Sequence, residues 1–293
     1  MRSDLWKGST FLLAAVVIAG CGGGGGEAGD TGGEATGGGE PAATQIDPTT
    51  VGTISGVVNF TGTPPALTSI DMSEEPPCAS AYPDGAMSQE VLARNGHLAN
   101  VFVRLTAGVS GAPAPSGNVT LDQHNCRYHP HVLGIQANQP LVITNSDNLL
   151  HNINVSPTDN RGFNISQPRA GIESTQRFLV PEVMIPVRCD VHGWMHAYIG
   201  VVDNPYFAVS GPDGAFTIPN VPAGDYTMEA WHEEYGTLTA QVTVTAQGTA
   251  NVSFDYSSDM AGADVPLGEP LVIRHGANGI EVERGAGNAA AGR

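Results

Sequence analysis

Cys189, His192 and Met195 fall within one short stretch of the run Arg188 to Val202, RCDVHGWMHAYIGVV. A thiolate, an imidazole and a thioether at that spacing supply three donors of a trigonal His2Cys copper site with a weak axial Met, and only a second imidazole is missing. His151 can supply it. It lies upstream in NSDNLLHNINV, after the strand-like run Pro140 to Thr144, where a loop can hold it against the Cys189 turn. Soft sulfur and imidazole nitrogen suit both Cu(I) and Cu(II), so the chemistry implied is one-electron exchange. In this reading Cys189 binds as the thiolate, His192 is the more solvent-facing ligand, and Met195 tunes potential more than affinity.

The neighbours of these donors have roles of their own. Asn152, next to His151, is placed to hydrogen-bond the loop against the Cys189 sulfur, and Asn145 and Ser146 to do similar work. Trp194 either caps the site or simply packs. His196 follows Met195 and competes with it as a donor, but adjacent residues of a strand point to opposite faces, which favours Met195. His97, His232 and His275 have no partners in sequence and read as surface or packing residues. Glu233 and Glu234 beside His232 do not complete HExxH, which argues against a zinc hydrolase.

The elements that must carry these residues are strands. From Val51 onward, short runs rich in Val, Ile, Phe and Thr alternate with Gly, Pro, Asn and Asp clusters, which predicts an all-β chain of Greek-key sandwich type. Strands are expected at Ile54 to Phe60, Leu98 to Leu105, Asn118 to Asp122, His131 to Ala137, Pro140 to Thr144, Asn152 to Val155, Thr175 to Val180, Val183 to Cys189 and Ala197 to Val202. A helical turn is expected at Ser88 to Arg94. These make a copper-binding unit over residues 51–204. A smaller sandwich follows over 205–256, too short for an independent core and therefore expected to pack on the first. Residues 257–293 read as a mobile tail, with a possible strand at Leu271 to Ile273.

The N-terminal residues 1–20 have the layout of a secretory signal, with Arg2 and Lys7 before the apolar run Phe11 to Ala19. Ile18-Ala19-Gly20-Cys21 resembles a bacterial lipobox, which implies a lipid-carrying Cys21. Residues 21–50 then form a Gly-rich tether with no aromatic residue, of roughly 30 Å r.m.s. reach. This points to a cell-envelope protein, lipid-anchored to a membrane and most simply an outer membrane, facing the periplasm or cell surface. The chain has 12 Lys+Arg against 29 Asp+Glu, a formal charge of -17. So acidic a surface argues against nucleic acid and favours a basic partner such as a cytochrome. In an oxidising compartment Cys78 and Cys126 form a natural disulfide pair closing a loop of about 49 residues, worth roughly 4 kcal/mol. The competing assignment puts Cys126 with His124, His129 and His131 of HNCRYHPH in a second metal site.

On the Cys189, His192, Met195 turn and the upstream His151, the chain resembles the cupredoxin family over roughly residues 90–203. The resemblance implies a Greek-key β-barrel holding one type 1 copper through His151, Cys189, His192 and Met195. The stretch FAVSGPDGAFTIPNVPAGDYTMEAWHE is similar to the carboxypeptidase regulatory-like domain, a transthyretin-like sandwich that is not itself catalytic. Together they imply a one-electron carrier rather than an enzyme. Copper enzymes of this fold generally need further copper centres, and a dinuclear centre would need a second Cys where Gly193 stands. The alternatives are a non-redox cell-surface binding module, for which 6% aromatic residues offer few stacking platforms, and a copper storage or delivery protein.

Overall fold

The structure, a computed structural model, describes residues 47–109 and 117–261 and the backbone of 272–276 and 279–283. The expected signal, Cys21, most of the tether and most of the tail lie outside the described residues. The chain is all-β, with its strands gathered into sheets that pack as sandwiches. The helix Pro76–Ser80 and the 3-10 turn Ser258–Met260 are the helical elements among the described residues. The helical turn expected at Ser88 to Arg94 is instead extended and ends in the short strand Ala93–Arg94.

The first sandwich carries the candidate ligands. One sheet runs in the order Ile172–Gln176, Leu141–Asn145, Val119–His124, Arg127–His129. The facing sheet runs Phe163–Gln167, His151–Val155, Glu182–Arg188, His196–Val202, Val132–Gln136. Alternate residues point inward, as the pleat requires, so that Leu121, Ile135, Leu141, Ile143, Ile153, Val187 and Ile199 form one buried core. Each such aliphatic side chain contributes roughly 1.5–3 kcal/mol by leaving water. Phe163–Gln167 and Ile172–Gln176 lie at sheet edges and bury little, which is why their apolar alternation is faint in sequence.

The second sandwich is larger than the sequence reading allowed. Gly224–His232 is sheeted between Gly236–Val244 and Phe102–Ala107, and the latter also pairs with Phe207–Val209. In the opposing sheet Val51–Thr61 pairs antiparallel with Ala215–Pro222 and parallel with Thr249–Ser257. The strands expected at Ile54 to Phe60 and Leu98 to Leu105 therefore serve the C-terminal unit, and the division at residue 204 does not separate the sheets. The physical reason is size: the fifty-odd residues after Pro205 cannot bury two faces alone. Ile54, Val58, Leu98, Val103 and Leu105 complete a core with Ile218, Met228, Phe254 and Tyr256.

The two sandwiches meet on the outer face of His196–Val202. Along that strand Ala197, Ile199 and Val201 enter the first core, while Val202 joins Phe102 and Val132 in a separate cluster packed by Met184, Phe207 and Trp231. Gly200 and Gly134 are paired neighbours there. A Cβ on Gly200 would lie 2.6 Å from the Phe102 ring, and one on Gly134 would lie 2.3 Å from Phe207. Two glycines thus let aromatic rings seat directly on the sheet. In the tail, Val272–Gly276 and Gly279–Glu283 pair as a hairpin, which takes in Val272 and Ile273 of the strand expected at Leu271 to Ile273, and Leu271 lies outside the described residues.

Candidate metal centre

Two loops at one end of the first sandwich bring the donors together. Cys189 follows the strand Glu182–Arg188, and Met195 precedes His196–Val202, so the seven residues between the strands form a tight connection. The Met195 N–H donates to the His192 carbonyl at 2.9 Å and the Cys189 N–H to the Met195 carbonyl at 3.1 Å, which closes the turn. The His192 N–H points at Cys189 Sγ, 3.4 Å away. The second loop is built on Asn145, whose Oδ1 accepts the Asp147 N–H at 2.9 Å and whose Nδ2 donates to the Leu149 and Gln167 carbonyls. This Asx turn aims Asp147 back at His151, the first residue of the next strand.

His151 Nδ1 and His192 Nδ1 lie 3.0 Å apart, and Cys189 Sγ is 3.9 Å from His192 Nδ1. The three donor atoms converge within 4.8 Å of one another, and all three residues are buried. Met195, 1% exposed, lines the same core. His151 Nε2 is 2.9 Å from Asp147 Oδ2. A carboxylate only accepts, so His151 carries a hydrogen on Nε2, and Nδ1 is the ring nitrogen that faces His192 and Cys189. Two ring nitrogens this close need a proton or a cation between them. The donor set accommodates a soft-to-borderline cation of the copper kind.

The electrostatics favour a thiolate. Burial pushes the Cys189 thiol up, but hydrogen bonds from His151, from His192 and from backbone N–H groups outweigh it and bring it down to about 6. Burial likewise depresses His151, yet the Asp147 and Cys189 partners hold it above the ordinary imidazole range. Asp147 is held below the usual carboxylate range: burial raises it, while His151 and the N–H groups of Asn125 and Cys126 more than compensate.

Asn152 does what its position suggested and more. Its Oδ1 accepts the N–H groups of Asp190 at 2.7 Å and Val191 at 3.3 Å and lies 3.3 Å from Cys189 Sγ. Its Nδ2 donates to Asn164 and Asp190, tying the two ligand loops together. Trp194 packs beside the His192 ring, with centroids 5.1 Å apart, and its indole N–H donates to the Cys126 carbonyl at 3.1 Å. Cys126 is bonded to Cys78. It is therefore no metal donor, and His131 of the same HNCRYHPH segment lies elsewhere, against Glu233.

The disulfide also explains one departure from expectation. It fixes the helix Pro76–Ser80 beside the site, and Glu75 at the head of that helix brings Oε2 to 3.8 Å from His192 Nε2. His192, expected to face solvent, is only 3% exposed, and its Nε2 has no hydrogen-bond partner. The exposed large hydrophobic residues at this end are Leu150 and Val191, each the residue before a candidate histidine donor. Asp147 and Glu75 escaped the sequence reading. For Asp147 a signal existed, since Asn145-Ser146-Asp147 is a turn sequence and position 147 is four residues from His151. Glu75 had none.

The family model for polysaccharide lyase family 4, domain II, matches residues 182–252, a segment that runs from the strand before Cys189 through the later strands of the second sandwich and ends within Thr249–Ser257. No curated protein matches the chain. Among solved structures, the chain is similar to a copper-containing nitrite reductase from Thermus scotoductus SA-01, with 19% identity over 33% of this chain and 25% of that one and a TM-score of 0.27. It is also similar to a reduced amicyanin mutant, with 14% identity over 30% of this chain and 85% of that one and a TM-score of 0.26. A purple cupredoxin from Nitrosopumilus maritimus gives 19% identity over 28% of this chain and 97% of that one, with a TM-score of 0.25. The chain thus spans about a quarter of the nitrite reductase's length.

Proposed function

We propose that the protein binds one copper ion through His151, Cys189, His192 and Met195 and carries single electrons in the cell envelope, held to a membrane by lipid on Cys21. The observation that carries this reading is the convergence of His151 Nδ1, His192 Nδ1 and Cys189 Sγ in a buried site, with Met195 buried in the same core. Copper bound there would supply one-electron exchange between Cu(I) and Cu(II).

The chain's own residues prepare that chemistry. Asp147 fixes the His151 tautomer, and Asn152 pins Asp190 and Val191 so that the sulfur stays where it is. Burial of both imidazoles and the thiolate excludes water, and the disulfide-anchored cover over His192 limits movement. A site tied down in this way has little room to reorganise, which suits electron transfer better than release of the metal, as storage or delivery would require. Exposed Leu150 and Val191 beside the donors offer a small apolar contact for a redox partner. The strongly acidic composition favours a basic partner, such as a cytochrome, and disfavours nucleic acid.

The test is a visible absorption spectrum of the full chain reconstituted with Cu(II), beside Cys189→Ser. An intense thiolate-to-copper charge-transfer band in the parent and none in the variant is the expected result. A parent protein that stays colourless and retains no copper sinks the reading and leaves the surface-binding alternative in first place.

A further inference from the structure

His196 turns away from the copper-side core and into the junction between the sandwiches, where it meets His131 and Glu233. The three donors come from separate elements: His131 precedes the strand Val132–Gln136, His196 begins the strand after the ligand turn, and Glu233 follows Gly224–His232 of the second sandwich. His131 and Glu233 side chains are 5% and 8% exposed, and His196 is 27% exposed.

The hydrogen bonds on the far side of each ring decide what faces the carboxylate. His131 Nδ1 is 3.2 Å from the His196 carbonyl, and His196 Nδ1 is 3.3 Å from the Trp194 carbonyl. A carbonyl only accepts, so both rings carry hydrogen on Nδ1 and turn Nε2 toward Glu233. His131 Nε2 contacts Glu233 Oε1, and His196 Nε2 lies 3.7 Å from Oε2. Two neutral imidazoles in that arrangement would set lone pairs against a carboxylate. The two ring centroids lie 5.0 Å apart over this one carboxylate, and the three donor atoms fall within 4.8 Å of one another. One divalent cation satisfies both Nε2 atoms and the carboxylate at once, and backbone carbonyls holding Nδ1–H are the usual way of orienting ligating histidines.

We propose that His131, His196 and Glu233 form a second metal site, for a divalent cation of borderline softness such as zinc. Two imidazoles and a carboxylate make a three-donor set that leaves a position free for water or a small ligand. A cavity of about 210 Å³, lined by His131, His196, Gly193 and Met195 among others, lies alongside to admit it. Because Glu233 belongs to the second sandwich, the ion would cross-link the two halves one peptide bond from Met195. This site contains no sulfur and shares no donor with the copper centre, so it stands whether or not the copper reading does.

The test is zinc binding, by titration calorimetry with Zn2+ alone, to the full chain carrying Cys189→Ser, which removes the sulfur of the first site. The expected result is one tight equivalent, weakened at least tenfold by a further His196→Gln and equally by a further Glu233→Gln. The glutamine at 233 keeps the length of the side chain and can donate to an imidazole Nε2, so it preserves a structural contact while removing the anionic donor. Circular dichroism of each variant verifies the fold, and if His196→Gln does not fold, Glu233→Gln on the other sandwich carries the test. A Cys189→Ser protein that takes up no zinc, or a folded second variant that binds within twofold of it, overturns the proposal and leaves a buried ion pair only.

Discussion

Two histidine clusters stand on opposite faces of the same strand end, and they differ in what assembles them. His151, Cys189 and His192 come from two loops of one sandwich, cross-braced by Asn152 and Asp147. His131, His196 and Glu233 require both sandwiches to be docked, because Glu233 enters from the far side. The first cluster is therefore set by local turn chemistry and has sulfur among its donors. The second is set by tertiary packing and has only nitrogen and oxygen. The strand's period of two is what keeps them apart: Met195 faces one side and His196 the other.

The sharpest way to break the symmetry is Cys189→Ser. The hydroxyl has no thiolate character at neutral pH, so the copper charge-transfer band should vanish altogether, while zinc uptake at the second cluster persists. Loss of zinc uptake as well, on a folded chain, would overturn the second site.

Removing the disulfide by Cys78→Ser with Cys126→Ser comes next. Loss of a cross-link with these termini should lower unfolding free energy by roughly 4 kcal/mol in urea denaturation. It should also loosen the first cluster selectively. The Cys126 N–H donates to Asp147 and its carbonyl receives Trp194, so both ligand loops lose a common anchor. Faster copper loss on dialysis with zinc affinity unchanged would locate the effect there.

The same contrast accounts for how much was legible in the sequence. Cys189, His192 and Met195 stand out because the candidate turn is local in sequence, and His151 could be added because a strand-and-loop signal precedes it. Glu233 could not, because nothing in the HEE triplet says that it faces His196 across a junction. The strand Val51–Thr61 reads clearly from its alternation, yet its parallel partner Thr249–Ser257 lies at the other end of the domain and pattern alone does not assign sheets. The burial of His192 was equally hidden, since its cover arrives through Cys78 and Glu75.

Asp147→Asn should leave the fold and the second cluster intact and act on the first. The amide is nearly isosteric but no longer an anion, so it holds the His151 Nε2–H less firmly and stabilises the charged ring less. A partner of this kind is typically worth ten- to a hundredfold in metal affinity. Competitive chelator titration should find copper binding weakened within that range, and unchanged affinity would mean that Asn145 and the strand alone orient His151.

The smallest expected effect tests the second cluster from a distance. Gly200→Ala places a methyl group where Phe102 Cε1 is 2.6 Å and Met184 Sδ 2.8 Å away. Phe102 is 1% exposed between the sandwiches, and Phe207 already occupies the space over Gly134, so the ring has little room to give. Overpacking of this kind costs about 1–3 kcal/mol. The strain acts at the junction and not in the core behind Ile199 and Val201. Thermal unfolding should therefore shift down and zinc affinity fall as Glu233 is pushed from His131 and His196, while the copper band keeps its position and intensity. A copper band that moved with the junction would mean that the two faces of the strand are mechanically coupled through Met195 and His196.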